Sequence, residues 1–254
     1  MSYTAIVLAG SRPGRDPFAE QFGTDLKALI PVAGEPMVQR PVTALLTSES
    51  VGTVIVLAQA RERIAAVLAD DPRLTVRESR GTIAETIFAL CKNPATQWPL
   101  LVTTADHALL DAATVDEFCR SASGADIAIG VVGRASLLRR LPGTRRTWLK
   151  FRGGAYTGAN LFALRSSDVG PAVELWRSAE QDRKKGRRLV GLLGMPVLIG
   201  AALRLLSIDD VLARAGRKLG LTVKAVRLTN PLAGVDVDKA EDHALAEAII
   251  EGRA

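Results

Sequence analysis

The run Ala5-Ile6-Val7-Leu8-Ala9-Gly10-Ser11-Arg12-Pro13-Gly14-Arg15 leads an apolar, strand-like segment into a loop of glycines and cations. Lys27 follows, ahead of Pro31-Val32-Ala33-Gly34-Glu35-Pro36. Glycines let backbone N–H groups approach an anion with no Cβ in the way, and Arg and Lys add charge-assisted bonds to phosphate oxygens. The chemistry this suits is phosphate handling; the alternative is a surface loop with ordinarily solvated cations. Neither a G-x-G-x-x-G fingerprint nor a G-K-[ST] phosphate loop is present, which removes the usual nucleotide folds. Carboxylates recur at two further places. Asp106 closes the apolar run that starts at Leu100, just ahead of a helical pattern at 112–121. Ligands of open α/β sheets gather at the carboxyl ends of strands, although a lone Asp there is as often a turn or helix-capping residue. Asp236 and Asp238 alternate within Gly234-Val235-Asp236-Val237-Asp238-Lys239-Ala240-Glu241-Asp242, which on a strand places both on one face. Asp238 also reads as the N-cap of the next helix, with Glu241 as its capping-box acid.

The elements that must position these residues alternate. Apolar, β-branched runs at 4–8, 51–58, 74–77, 99–103, 127–132 and 223–228 read as strands. Helical patterns fall at 37–47, 60–69, 83–91, 112–121, 171–181, 208–218 and 240–252. That alternation predicts one α/β domain over 1–254 with a mostly parallel central sheet flanked by helices. The 254 residues, 48% apolar, suffice for a sizeable core without staples. Cys91 and Cys119 have no C-x-x-C spacing and read as buried thiols of a reducing compartment, so a cytoplasmic protein is expected. The amino terminus lacks the pattern of a secretory signal, and the 4% aromatic content argues against a base-stacking nucleic-acid platform.

The net charge of +6 is unevenly spread. No acidic residue lies between Asp126 and Asp168, where Arg134, Arg139, Arg140, Arg145, Arg146, Lys150, Arg152 and Arg165 fall. With the breaks at Pro142-Gly143 and Gly153-Gly154, this predicts an irregular basic insert at about 134–156. A second basic cluster, Arg183 to Arg188, precedes an apolar and helical stretch at about 189–218. One reading of Leu189 to Leu203 is a buried helix pair. The other is an interfacial patch that meets an anionic membrane. His107 and His243 are too few and too far apart for a zinc site, and His243, in the last helix, is expected at the surface.

The motifs together resemble the nucleotidyltransferases that share the glycosyltransferase-A-like, Rossmann-like α/β fold, the group holding molybdenum cofactor guanylyltransferases and sugar-phosphate nucleotidylyltransferases. The group's Leu-Ala-Gly-Gly, Arg, Lys, Pro-x-x-Gly-x-Pro series stands here as Leu8-Ala9-Gly10-Ser11, Arg15, Lys27 and Pro31 to Pro36, with Ser11 for the second glycine and a longer stretch from Arg15 to Lys27. Asp106-His107-Ala108-Leu109-Leu110 is similar to the strand-Asp-x-Pro-Leu-Leu element, with Ala108 for the proline. The run from Asp236 to Asp242 is similar to the closing Asn/Asp-rich element.

The resemblance implies an Mg²⁺-dependent enzyme that transfers NMP from a nucleoside triphosphate to a phosphorylated small-molecule acceptor, with release of pyrophosphate. Arg15 (or Arg12), Lys27 and Asp106 would be catalytic, and Leu8, Ala9, Gly10, Ser11, Arg12, Gly81 and Thr82 would bind the nucleotide. Asp106 and Asp236 would hold Mg²⁺, with Asp238 in reserve. Tyr156-Thr157-Gly158-Ala159-Asn160 is similar to an acceptor-side element, which points to Thr157, Gly158 and Asn160, beside Lys150, at the acceptor. A helix N-terminus capped by Ser79 or Thr82 explains the Gly81-Thr82 segment nearly as well, and Asn160 serves equally in a turn. Two alternatives stand: a glycosyltransferase of the same fold using a nucleotide sugar, and a peripheral-membrane or scaffold protein without turnover.

Overall fold

The computed structural model describes residues 2–10, 14–79, 81–181, 200 and 203–254. Ser11, Arg12, the Arg183 to Arg188 cluster and nearly all of 189–203 lie outside the described residues. In chain order the described residues form β1 (Tyr3–Leu8), α1 (Pro17–Glu20), β2 (Pro31–Val32), β3 (Glu35–Pro36), α2 (Gln39–Thr47), β4 (Val51–Ala58), α3 (Arg61–Ala65), β5 (Leu74–Glu78) and α4 (Ile83–Lys92). There follow β6 (Leu100–Thr104), α5 (Ala112–Ala122), β7 (Ile127–Gly133), α6 (Arg134–Arg140), β8 (Leu149–Phe151), β9 (Gly154–Leu164), α7 (Gly170–Gln181), α8 (Ile208–Leu219), β10 (Val223–Arg227) and α9 (Ala240–Ile250).

The main sheet runs β10-β7-β9-β6-β1-β4-β5, with β8 paired to β9. Strands β5, β4, β1 and β6 are parallel neighbours, as are β7 and β10, while β9 runs antiparallel between β6 and β7. The apolar strands predicted this: β1 sends Ala5 and Val7 into the core under α2 and α5, and Ile6 and Leu8 into the core under α4 and α7. Both faces of such a strand are buried, so it reads as a continuous apolar run rather than an alternation. One core is centred on Val7, Leu101, Phe118, Leu45 and Leu161, the other on Ile6, Leu57, Val102, Ile87 and Val173.

The segment expected to be irregular is ordered over much of its length. Residues 134–140 form α6, 149–151 form β8, and the chain from Gly154 enters the 11-residue strand β9. Strand β9 hides in sequence because Gly, Thr and Asn interrupt it, and its pairing with β7 shifts register between Ile129 and Val131. The bulge admits Asn160 at φ +47°. Gly130 lies opposite, where a Cβ would stand 3.1 Å from the Leu161 Cβ. The helix expected at 60–69 is only Arg61–Ala65.

Candidate active site

The parallel strands end along one edge, and there the sequence motifs meet. Asp106 follows β6, and the Thr104 hydroxyl donates to its Oδ1. The Ala105 amide donates to the Leu8 carbonyl (3.0 Å), which ties the end of β6 to the end of β1. The amide of Val237 donates to the Asp106 carbonyl (3.0 Å), bringing the Asp236–Asp238 segment to the same edge. Asn230 anchors that segment: its Nδ2 donates to Asp111 (3.1 Å) and Thr114 (3.0 Å), and its Oδ1 accepts from the Leu232 amide. Val235 and Val237 are buried while Asp236 and Asp238 face outward. The expected sharing of a face is therefore observed, but in extended chain rather than in a strand.

Lys27 opens a 3₁₀ turn, Lys27–Leu29, just before the β2–β3 hairpin. The hairpin turns on Ala33 (φ +49°) and Gly34 (φ +81°), a two-residue turn with both central residues at positive φ, the form that matches strand twist. It is pinned to α9: the Ala33 amide donates to Glu247 (2.9 Å) and His243 Nε2 donates to the Pro31 carbonyl (2.6 Å). His243 is thus buried, its ring 4.5 Å from that of Phe22. The surface position expected for it is corrected, because the inward face of α9 needs a donor for that carbonyl.

The Lys27 Nζ lies 2.6 Å from Asp106 Oδ2 and 2.5 Å from Asp238 Oδ1. Asp238 therefore does not cap α9. Lys239 occupies the N-cap without a side-chain bond, since the Asp238 carboxylate is drawn to the ammonium. Asp242, in the first turn of α9, reaches back instead, its Oδ2 accepting from the Asp238 amide (3.4 Å). Burial pulls the Lys27 pKa down, yet Asp106 and Asp238 outweigh it and raise it above the usual lysine value. Burial works against ionisation of Asp238 as well, but the Lys27 bond holds it below the usual carboxylate range. Asp236 is pushed up, by burial first and then by the negative charges of Asp238 and Asp106, against the pull of Arg146.

Arg146 and Asp242 join the site although the motifs did not single them out for it. The Arg146 guanidinium bonds the carboxylate and the carbonyl of Asp236 and, at 2.9 Å, the carboxylate of Asp242. Among the basic residues of 134–165 nothing in sequence distinguishes Arg146. Asn160 Nδ2 stands 3.5 Å from Asp236 Oδ2. Thr157 is buried with its methyl turned toward Gly234, while the surroundings of Gly158 are open. Lys150 is exposed on β8. Arg15 is 86% exposed at its side chain and pairs with Glu20 at 2.6 Å, outside the Lys27 cluster. On the other flank, Gly10 lies against Gln59, whose amide nitrogen would be 3.2 Å from an added Cβ. Thr82 caps α4 in a reciprocal box with Glu85, and Gly81 precedes it at φ +101°.

Among the described residues no group of three or more His, Cys, Asp or Glu side chains is gathered as a metal cage. The Asp106, Asp236 and Asp238 carboxylates are nevertheless hard oxygen donors crowded enough to raise Asp236. That suits Mg²⁺, which takes one or two carboxylates and completes its shell with water and substrate phosphates.

A mostly parallel sheet is thus covered on both faces, with Lys27 and three carboxylates gathered at one edge. The model of the MobA-like NTP transferase domain matches residues 5–219, and the chain belongs to that family. A hypothetical transferase from Thermus thermophilus is similar over 96% of this chain and all of its own, with 31% identity and a TM-score of 0.78. Two further structures share the fold. One is 4-diphosphocytidyl-2C-methyl-D-erythritol synthase from Anaerococcus prevotii, with 11% identity, a TM-score of 0.63, and 98% of this chain and 96% of that one covered. The other is a CMP:2-keto-3-deoxy-manno-octonic acid synthetase complexed with CTP, with 10% identity, a TM-score of 0.61, and both chains covered in full. No curated protein matches the chain. Among the described residues no helix is long and apolar enough to cross a membrane.

Proposed function

We propose that the protein transfers a nucleoside monophosphate from a nucleoside triphosphate to a phosphorylated small-molecule acceptor, in an Mg²⁺-dependent reaction that releases pyrophosphate. The observation that carries this reading is the Lys27 ammonium bridging Asp106 and Asp238 at the strand ends, 2.6 and 2.5 Å away. An acceptor phosphate oxygen would form a bond to the α-phosphorus as the bond to the pyrophosphate oxygen breaks, so several negative charges must be brought together and aligned. Asp106 and Asp236, with Asp238, would hold the Mg²⁺, which when bound neutralises phosphate charge and orients the triphosphate. Lys27, Arg15 and the amides of Leu8-Ala9-Gly10 with Ser11 and Arg12 would bind the triphosphate and offset charge on the leaving pyrophosphate. Gly81 and Thr82 would lie along the base. The open backbone at Gly158, with Thr157, Asn160 and Lys150, would receive the acceptor. No nucleophilic side chain is needed; positioning and fixed charge suffice.

The test is a thermal-shift panel of the four ribonucleoside triphosphates, their diphosphates and nucleotide sugars, each with Mg²⁺, on wild type and Asp106→Ala. A metal-dependent rise in midpoint with one triphosphate, lost in the variant, is expected, because a ligand of the native state stabilises it by mass action. A shift with nucleotide sugars alone would replace this reading with glycosyl transfer.

A further inference from the structure

We infer that Arg146 is a positioning residue that holds the Asp236 carboxylate in place for the catalytic metal, with Asp242 as the anchor that fixes Arg146; this rests on the reading of Asp236 as a metal ligand. Arg146 comes from the loop between α6 and β8, and its side chain is only 9% exposed. Both of its terminal nitrogens donate. Nη1 donates to Asp236 Oδ1, and Nη2 donates to the Asp236 carbonyl (3.2 Å) and to Asp242 Oδ1 (2.9 Å). One rigid fork thereby fixes both the side chain and the backbone of Asp236. The other carboxylate oxygen, Oδ2, faces the Asn160 amide at 3.5 Å, beyond a strong hydrogen bond.

Stability alone would not build this arrangement. Burying a guanidinium carries a large desolvation cost, and buried ion pairs often match apolar packing at best. Here the cost is compounded, because the buried Nε of Arg146 has no partner. The arrangement yields instead a carboxylate with one oxygen tied down. Asp238 offers the contrast: its side chain is 61% exposed, and it is bonded by the Lys27 ammonium and the Asp236 side chain rather than by a guanidinium fork. Asp242 is 10% exposed and on α9, where Oδ1 takes Arg146 and Oδ2 takes the Asp238 amide. The first turn of α9 thus sets the guanidinium, and the guanidinium sets Asp236.

The test is Mn²⁺ titration of the full-length protein, reading the free aquo ion by electron paramagnetic resonance, on wild type, Arg146→Lys, Asp242→Asn, Asp236→Asn and Asp106→Asn, each first checked for folding by its unfolding midpoint. Loss of a partner that orients a metal ligand weakens metal binding on the order of 10 to 100-fold. Arg146→Lys keeps the charge and loses the fork, so it is expected to weaken Mn²⁺ binding about 10-fold, with Asp242→Asn shifting it in the same direction. The half-saturating Mg²⁺ for turnover should rise in parallel, which a purely structural loss would not produce in a folded variant. Wild-type Mn²⁺ affinity in Arg146→Lys, with Asp236→Asn weakened, would overturn the inference and leave the metal-site reading standing. Wild-type affinity in Asp236→Asn would overturn both, as would no Mn²⁺ binding by wild type at millimolar concentration.

Discussion

Asn160 offers a test of the site scaffold that does not depend on which substrates the enzyme takes. It sits in the β9 bulge at φ +47°, where a non-glycine residue pays about 1 to 2 kcal/mol and Asn is the side chain that tolerates it best. Its amide reaches Asp236 Oδ2 only at 3.5 Å, so that contact adds at most about 0.5 kcal/mol. Asn160→Gly removes the backbone penalty but gives the unfolded chain more freedom, worth roughly 0.5 to 1 kcal/mol, and the two effects nearly cancel. Asn160→Ala keeps the penalty and loses the tolerance. The alanine variant should therefore be about 1 kcal/mol less stable than the glycine variant, a midpoint difference of roughly 2 to 4 °C for a chain of this size. Urea and thermal unfolding of the two variants measure this. An alanine variant as stable as the glycine variant would refute the claim that the left-handed bulge selects the residue. Both lack the amide, so any common loss of turnover separates its chemical role from its conformational one.

Three further outcomes follow from the packing and electrostatics. Gly234→Ala would bring a Cβ to 2.9 Å from Thr157 Cγ2 and 3.2 Å from Val132 Cβ; the forced shift should destabilise by about 1 to 3 kcal/mol, read as a lowered urea midpoint. At Asp116 burial opposes ionisation, but Ser48 Oγ (2.6 Å) and the Ser50 amide (2.9 Å) donate to it and hold its pKa below the ordinary value. A depressed folded-state pKa contributes stability that is present above the unfolded value and lost as pH falls through the folded one. The gap in unfolding free energy between wild type and Asp116→Asn should thus hold at neutral pH and narrow below about pH 4. A gap that stays constant down to pH 3 would contradict the assigned bonds. Burial pushes the Cys119 thiol up to about 12, which leaves roughly one thiolate in 10⁴ at pH 8. Iodoacetamide should therefore leave Cys119 unmodified in the native protein and label it readily in urea, as peptide mass spectrometry can read.

Much of the fold is legible in residue order because its signals are local. The apolar runs of β1, β4, β6 and β7 are near-continuous, as strands buried on both faces must be. The capping residues Thr82, Asp111 and Ser207 mark where α4, α5 and α8 start. The loop after β1, Lys27, Asp106 and the Asp236–Asp238 pair are visible as residue types at strand ends, which is enough to point to phosphate and carboxylate chemistry.

What residue order could not supply is long-range pairing. Strand β9 is interrupted by Gly, Thr and Asn and is held in place by β6 and β7 on either side. Asp238 reads as a helix cap by every local rule, yet Lys27, distant in sequence, draws its carboxylate away. His243 looks like a surface residue until the Pro31 carbonyl needs a donor beneath α9, and Arg146 is one cation among many until Asp236 and Asp242 converge on it. Local propensity is written within a few residues, whereas the charge pairs that turn these carboxylates into a site exist only once the chain has closed on itself.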